Sequence, residues 1–194
     1  LVAYSGFSAS NYLEQPYNQN LLDAINADNI TYMMWLNSSG PSATEILMGA
    51  EDSIIGEYLQ ITAHTDDTIS WYVDTNTGTQ LFSSTSICNG GWRFVVATYD
   101  GTNVKLYVDG SLNASTTTTQ NSFNMGSPYT FTVGRRLSDN YPATSTKLSL
   151  LRVSSTIPSA AQIAKIYNDE KHLFQDGAQA TLYGASDAVT ALAY

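Results

Sequence analysis

Cysteine is almost missing from this chain of 194 residues, in which Cys88 is the single thiol. One cysteine cannot form a disulfide within the chain or supply a cysteine-based zinc site. A chain of this length is long enough for one well-buried domain, so its fold must be stabilised by core packing alone. We expect Cys88 itself to be a small buried or loop residue.

Positive charge and long apolar runs are scarce as well. Eight lysines and arginines oppose 17 aspartates and glutamates, which gives a net charge of −9. Nucleic-acid binding needs clustered basic side chains to neutralise phosphates, so this composition argues against that class of partner. It also argues against an anionic membrane surface. No stretch approaches the ~20 apolar residues of a transmembrane helix, so we expect no membrane insertion.

Motifs for enzymatic chemistry are missing too. The chain has no Gly-x-Ser-x-Gly elbow and no zinc-protease motif. A retaining glycosidase needs two carboxyl groups about 5 Å apart, which alternate positions of one strand can supply. No predicted strand carries such a pair, because Glu45, Glu51, Asp52 and Glu57 fall in or beside predicted loops as a solvated acidic cluster. We therefore predict a protein that is not an enzyme, although sequence alone leaves a Ser-His-Asp triad open.

The clearest pattern present is a β-hairpin. Residues 91–112 read GWRFVVATYDGTNVKLYVDGSL, in which β-branched and aromatic runs flank two turn signals. The first strand is apolar on both faces, so we expect it to be central in its sheet and covered on both sides. Its alternate residues, with those of the second strand, are predicted to share one buried core: Trp92, Phe94, Val96, Leu106 and Val108.

Other strands are predicted about every ten residues, with turn signals between them, which is typical of a sandwich or jelly roll. They cover residues 30–36, 45–48, 58–63, 68–73, 129–133 and 148–153, with a loop at 49–57 and a short helical turn or loop at 21–29. A late helix is predicted from Ser159, which forms a capping box with Gln162. Ile163, Ile166 and Tyr167 make its buried stripe.

These segments resemble the concanavalin A-like lectin/glucanase jelly rolls, in the laminin G-like and pentraxin-like branch. The hairpin carries the resemblance, together with NYLEQPYN at 11–18, ITYMMWLN at 30–37 and IPSAAQIAKIYNDE at 157–170. It implies an all-β, two-sheet antiparallel jelly-roll sandwich with one short late helix. The fold hosts lectins, adhesion modules, hydrolases and virion proteins, so the resemblance alone does not define the function.

The resemblance ends near His172, so we predict a jelly-roll domain over 1–172 and a linker or assembly segment over 173–194. Residues 157–194 resemble phage structural polypeptides of this fold.

The expected function is therefore a non-enzymatic recognition or assembly module of a virion: a bacteriophage decoration, fibre or tail protein. Its expected partners are other structural subunits, in a homo-oligomer or larger assembly, and cell-surface glycans. The alternatives are a secreted carbohydrate-binding or adhesion module and, less favoured, a glycoside hydrolase. Since Leu1 is not a methionine, we expect a processed or partial chain.

Two places combine aromatic rings with amides or carboxylates, as glycan sites do. One is the loop Leu137–Pro142, with Asp139, Asn140 and Tyr141. The other is the pair Trp71 and Tyr72, although Trp71 is also a candidate for the core.

No cofactor is expected, and we expect calcium not to be required for folding. The region that holds calcium in pentraxin-like members reads NSFNMGSPY here, without a carboxylate. Hard oxygen ligands of the right kind remain at Asp66, Asp67, Asp139 and Asn140, so a bound calcium ion stays an alternative.

Overall fold

The computed structural model describes residues 3–15, 17–75, 78–119, 122–126, 129–138 and 141–175. In chain order the elements are β1 (Leu13–Gln15), α1 (Gln19–Asn26), β2 (Ile30–Ser38), β3 (Glu45–Asp52), β4 (Glu57–Ala63), β5 (Ile69–Thr75), β6 (Thr79–Phe82), β7 (Trp92–Tyr99), β8 (Asn103–Val108), β9 (Ser111–Thr117), β10 (Thr130–Val133), β11 (Thr146–Ser154), α2 (Ala160–Glu170) and a 3-10 helix (Lys171–Phe174). The segment predicted as a short helical turn or loop forms α1, which Asn18 caps by accepting from the Leu21 amide.

The strands form two antiparallel sheets. The six-stranded sheet has the order β1-β10-β3-β4-β5-β6, and the five-stranded sheet has the order β11-β2-β7-β8-β9. Strands far apart in the sequence lie side by side, since β10 pairs with β3 and β11 pairs with β2. The predicted two-sheet jelly-roll sandwich is confirmed, and β7 is central in its sheet as predicted.

The main hydrophobic core lies between the two sheets. Trp71 on β5 and Tyr32 on β2 are fully buried there, and their rings meet edge to face with centroids 5.1 Å apart. The Trp71 indole Nε1 donates a hydrogen bond across the core to the Thr98 carbonyl of β7, at 3.2 Å. This bond satisfies the one polar atom of the largest core side chain and ties the two sheets together.

A second hydrophobic cluster covers the outer face of the five-stranded sheet. It combines Trp35 of β2 with Phe94 and Val96 of β7, and α2 closes it with Ile163. The Trp35 indole donates to Glu170 at 2.9 Å and its ring stacks on Phe174 with centroids 4.0 Å apart. The helix and the 3-10 helix after it are therefore held onto the sheet by an aromatic stack.

The prediction of one shared core for the hairpin is wrong. Leu106 and Val108 of β8 face the core between the sheets, whereas Trp92, Phe94 and Val96 face the outer cluster. The register explains the difference, because Leu106 pairs with Ala97 and not with Phe94 or Val96. Paired residues share a face of the sheet, so two strands that each alternate apolar and other residues can place their predicted core residues on opposite sides of the sheet.

The late helix is confirmed in detail. Ser159 Oγ accepts from the Gln162 amide at 3.2 Å, and Gln162 Oε1 accepts from the Ser159 amide at 2.8 Å, which is the predicted capping box. Ile163 is fully buried, with Ile166 and Tyr167 packed beside it. Neither α1 nor α2, in the ranges that the structure describes, has the length and apolar character needed to cross a bilayer.

The predicted domain boundary after residue 172 falls inside the 3-10 helix. Phe174, on the far side of that boundary, is buried against Trp35 and Trp92. Residues 176–194, most of the predicted linker or assembly segment, lie outside the described residues, so its role stays a prediction.

Replacing Trp35 with alanine tests the outer cluster. The substitution removes the ring that Phe94, Tyr167 and Phe174 contact and leaves Glu170 without its indole donor. We expect the free energy of unfolding to fall by about 3–5 kcal/mol in chemical denaturation. The control Leu112→Ala, at a side chain that is 53% exposed, should change it by less than about 0.5 kcal/mol. A loss below about 1 kcal/mol for the Trp35 variant contradicts a packed outer cluster.

Candidate functional site

Four carboxylates on β3 and β4 are buried, although the sequence predicted a solvated acidic loop there. Glu45, Glu51, Asp52 and Glu57 are 2%, 6%, 4% and 4% exposed. They belong to strands because β3 runs on to Asp52, which shortens the predicted loop 49–57 to residues 53–56. The prediction was wrong because each carboxylate accepts hydrogen bonds from a loop far away in the sequence, and these replace its bonds to water.

Glu51 fixes the loop that follows β10. Its side chain accepts from the amides of Leu137 and Ser138 at 3.2 and 3.1 Å, and from the Ser138 hydroxyl at 2.9 Å. Thr132 supports the same loop by donating from Oγ1 to the Arg135 carbonyl at 2.6 Å. Since Glu51 and Thr132 both lie on the outer side of the six-stranded sheet, the loop is held across that side.

Glu45 and Glu57 act in the same way on two further loops. Glu45 accepts from Thr144 Oγ1, the Ser145 amide and Thr146 Oγ1 at 3.0, 2.7 and 2.8 Å. Glu57 accepts from the Asn124 amide at 2.9 Å. Burial raises the pKa of Glu57 above its ordinary range, and the neighbouring Asp52 adds to this, while the Asn124 amide opposes it.

Beside the loop that Glu51 holds, the outer side of the six-stranded sheet carries a depression of about 240 Å³, which we call the outer groove. Residues from β3, β4, β5 and β6 and from the loop after β10 line it: Thr44, Ile46, Gln60, Thr62, His64, Tyr72, Gln80, Arg136 and Tyr141. On β4, Gln60 and Thr62 alternate with the core residues Leu59, Ile61 and Ala63, which places both polar side chains on this side.

A hydrogen-bonded group of uncharged side chains forms part of the groove. Ser70 Oγ lies 2.8 Å from His64 Nε2 and accepts from Gln80 Nε2 at 3.0 Å. The His64 ring also lies against Phe82, with centroids 5.0 Å apart. Burial lowers the pKa of His64 below its ordinary value of 6.5, against the opposing effect of Asp66, so the imidazole is mainly neutral at pH 7.

Aromatic rings and a cation form another part of the groove. The Arg136 guanidinium lies 5.0 Å from the centroid of Tyr58 and 5.5 Å from that of Tyr141, and it donates to Gln60 Oε1 at 3.3 Å. Tyr72 donates its hydroxyl to Asp74 at 2.5 Å. Burial, with the hydrogen bond to Asp74 as the next cause, raises the pKa of Tyr72 to about 12. The two groove tyrosines therefore present rings beside donors and acceptors of fixed orientation.

The structure separates the residues that the sequence proposed for glycan binding. Tyr72 and Tyr141 both line the outer groove, whereas Trp71 is wholly buried between the sheets, the alternative left open for it. Asp139 and Asn140 lie outside the described residues. Sequence reasoning missed the polar groove residues of β4 and β6; the alternation of Gln60 and Thr62 with apolar neighbours was the signal that pointed to them.

Two of the candidate calcium ligands, Asp66 and Asp67, lie in the turn between β4 and β5. Asp66 Oδ1 accepts from the amide and hydroxyl of Thr68 at 3.1 and 2.6 Å, and the Asp67 carbonyl accepts from the Ile87 amide at 2.8 Å. Over the described ranges, no three His, Cys, Asp or Glu side chains are grouped so that they could hold a metal ion. The expectation about calcium stays a prediction.

Comparisons with known proteins address the fold. Residues 7–164 match a laminin G family model described as the concanavalin A-like lectin/glucanases superfamily. The receptor binding domain of botulinum neurotoxin C/D mosaic serotype superposes with a TM-score of 0.66 at 17% identity, over 84% of this chain and 41% of that chain. The binding domain of botulinum neurotoxin DC in complex with SialylT superposes with a TM-score of 0.62 at 11% identity, over 86% of this chain and 46% of that chain.

A pentraxin is similar as well. The native heptameric SAP-like pentraxin from Limulus polyphemus superposes with a TM-score of 0.55 at 15% identity, over 73% of this chain and 70% of that chain. At these identities the likeness concerns the fold alone, and this chain spans less than half the length of the two toxin domains. No curated protein sequence matches the chain.

Replacing Glu51 with alanine tests how the groove is positioned. The substitution leaves the amides of Leu137 and Ser138 without their acceptor, so we expect a loss of about 1–3 kcal/mol of stability and faster hydrogen exchange at these two amides. The control Glu14→Ala changes an exposed carboxylate on β1 of the same sheet and should affect neither. Unchanged exchange at both amides in the Glu51 variant contradicts its role in holding the loop.

His64 predicts a pH dependence of stability. Its pKa is lowered in the folded chain, so the unfolded chain binds more protons once the pH falls below about 6.5. Stability should therefore decrease from pH 7 towards pH 5, and His64→Gln should make that decrease shallower in thermal denaturation. The lowered pKa of Asp66, whose main cause is its hydrogen bond from the Thr68 side chain, acts below its ordinary value of 3.8 and does not overlap. Identical pH profiles for the two proteins contradict the assignment.

Proposed function

The chain belongs to the concanavalin A-like lectin/glucanases superfamily, and on that premise we propose that it is a non-enzymatic recognition module that binds carbohydrate in the outer groove. One observation carries the proposal: the groove sets two tyrosine rings beside two side-chain amides and several hydroxyls on a rigid sheet. Sugars present apolar C–H faces and many hydroxyls, and rings beside fixed donors and acceptors match both.

The geometry of the amides supports binding. Gln60 and Gln80 lie on strands on either side of β5, and both are opposite Tyr72 in the register. An amide side chain offers donors and an acceptor together, as a sugar hydroxyl does. The bonds of Gln60 Oε1 with Arg136 and of Gln80 Nε2 with Ser70 fix the orientation of these two amides. Because these residues stand on strands and not on loops, their positions are set before a ligand arrives, which limits the entropy lost on binding.

The carboxylates near the groove support binding without hydrolysis. Glycoside hydrolysis needs one carboxyl group to protonate the leaving oxygen and a second one to attack or to activate water. Glu51 accepts three hydrogen bonds from residues 137 and 138. Asp74 accepts from the Tyr72 hydroxyl and from the Gly78 amide at 2.8 Å. Both groups are engaged in holding the protein together, which favours a binding role.

The proposed setting is a virion, in which the module decorates a bacteriophage capsid, fibre or tail. The resemblance of residues 157–194 to phage structural polypeptides supports it. The alternative is a secreted or extracellular adhesion module with the same groove. In either setting the proposed partners are structural subunits, in a homo-oligomer or larger assembly, and cell-surface glycans.

Mass spectrometry of the native complex tests this setting. The virion proposal expects the chain among the structural subunits of an intact particle. Recovery of the chain only as a free secreted protein contradicts it and leaves the proposed binding site unaffected.

A glycan array with groove variants tests the binding function. Tyr141→Ala removes a ring that is 39% exposed at the groove, and we expect its apparent affinity for the best array glycan to fall about three- to tenfold. The control Tyr4→Ala removes a ring that is 47% exposed beside β11 of the other sheet and should leave binding unchanged. Absence of binding to every glycan, or equal loss in both variants, contradicts the proposal.

A further inference from the structure

Among the described residues, β9 forms a free edge of the five-stranded sheet. This strand, Ser111–Thr117, is last in the order β11-β2-β7-β8-β9 and pairs with β8 alone. The outward backbone groups of an edge strand are unpaired, and they can hydrogen-bond to a strand of another chain. Folded proteins usually protect their edges with charges, prolines, bulges, short length or a covering segment. β9 differs from the other three edges in how few of these devices it has.

The other three edges are protected. β1 has three residues, with Glu14 in the middle, and β6 has four residues. β11 carries the charged side chains of Lys147 and Arg152. Tyr4 also covers β11, because it exchanges two backbone hydrogen bonds with Leu148, at 2.7 and 2.9 Å. Each of these edges is short, charged or covered, so a second chain gains little by pairing with it.

β9 is longer and uncharged. Its seven residues, SLNASTT, include neither a charged residue nor a proline. One bulge, at Asn113, interrupts its pairing with β8, and the Asn113 side chain accepts there from the Ser84 amide at 2.8 Å. From Ala114 to Thr117 the pairing with β8 is regular. The second half of β9 is therefore a regular, uncharged edge, which is the kind that pairs with another strand.

One hydrogen bond just beyond β9 shows which of its backbone groups face outward. The Thr118 amide donates to the Thr102 carbonyl at 2.8 Å, so residue 118 faces inward, towards β8. In an antiparallel strand the backbone groups of successive residues point to opposite sides. The amides of Ser115 and Thr117 therefore point outward, and neither has an acceptor in the part of the chain that the structure describes. These two donors are available to a partner strand.

The distribution of charge favours a second copy of this chain as the partner. The net charge of −9 opposes self-association over most of the surface. Residues 92–117, which form β7, β8 and β9, are different, because two basic residues, Arg93 and Lys105, balance two acidic ones, Asp100 and Asp109. A second copy can therefore approach along β9 without the repulsion that the acidic remainder of the chain causes.

The side chains of β9 also suit pairing with themselves. Four of the seven residues are serine or threonine, whose hydroxyls both donate and accept. Hydrogen bonds between such side chains stabilise antiparallel strand pairs. A twofold axis brings the same surface of two copies together, so it places the hydroxyls of one β9 strand beside those of the other.

From these observations we infer that β9 is a dimer interface, at which two copies pair their β9 strands antiparallel about a twofold axis. The five-stranded sheets of both copies then form one continuous sheet, and the amides of Ser115 and Thr117 donate to carbonyl groups of the partner strand. This inference rests on the proposed assembly into a homo-oligomer and adds its surface and symmetry. The outer groove lies on the other sheet, so both copies keep it open.

Hydrogen exchange of the full, unmodified chain at several concentrations tests the inference. We expect the amides of Ser115 and Thr117 to exchange fast in dilute solution. At concentrations where sedimentation shows a dimer, their exchange should slow by about tenfold or more. The Thr118 amide is the internal control, because its bond to Thr102 protects it at every concentration.

Two variants at one position separate pairing from folding. Thr117→Pro removes the outward amide, which an edge strand tolerates within its own sheet, whereas Thr117→Ala removes the hydroxyl and keeps the amide. We expect the dimer dissociation constant of the proline variant to rise about tenfold or more, with an unchanged circular dichroism spectrum. The alanine variant should remain a dimer at the concentrations where the wild type is one.

Several results overturn the inference. Fast exchange at Ser115 and Thr117 in a dimer, or a Thr117→Pro dimer as stable as that of the wild type, places the interface elsewhere and spares the homo-oligomer. Equally slow exchange at every concentration means that a segment of the same chain covers the edge. If the chain is monomeric at every concentration, the proposed homo-oligomer fails with the inference, and carbohydrate binding in the outer groove is unaffected.

Discussion

Buried carboxylates are the constraint on which the rest of this structure depends. Glu45, Glu51 and Asp52 on β3, and Glu57 on β4, are taken out of water and need donors in its place. Those donors are mainly amides and hydroxyls of loops about 70 to 100 residues further along the chain. Each bond of this kind fixes a loop to the six-stranded sheet, so these carboxylates hold the architecture together.

The site inherits its shape from that constraint. Glu51 holds residues 137 and 138, and the same loop contributes Arg136 and Tyr141 to the outer groove. The strands contribute the rest at alternate positions, as with Gln60 and Thr62 on β4. A groove assembled from a sheet and a fixed loop is largely formed before any ligand binds, and this is the property that a recognition module needs.

The two outer faces of the sandwich differ in their side chains and in what covers them. On the five-stranded sheet, Trp35 and Phe94 make the outer face apolar, and α2 with the 3-10 helix covers it. On the six-stranded sheet the corresponding face carries amides, hydroxyls and tyrosines, and no helix of the described ranges packs on it. Among the described residues, the second face is therefore the one that no helix covers.

Sequence reasoning found what depends on local pattern. The central strand and the capping box of Ser159 with Gln162 follow from periodicity and turn chemistry, and the family resemblance implied the two-sheet architecture. It failed where distant parts of the chain decide the outcome. A glutamate such as Glu51 has the same local sequence whether it faces water or the amide of Leu137, and Trp92 has the same period whichever side of β7 is the core.

The central claim is that the outer face of the six-stranded sheet is the ligand site. A crystal structure of the full chain grown with its best-binding array glycan tests this most directly. The account predicts a sugar ring in the outer groove, against Tyr72 and Tyr141 and beside the amides of Gln60 and Gln80. A glycan bound at any other surface, with the groove free of sugar, contradicts the account.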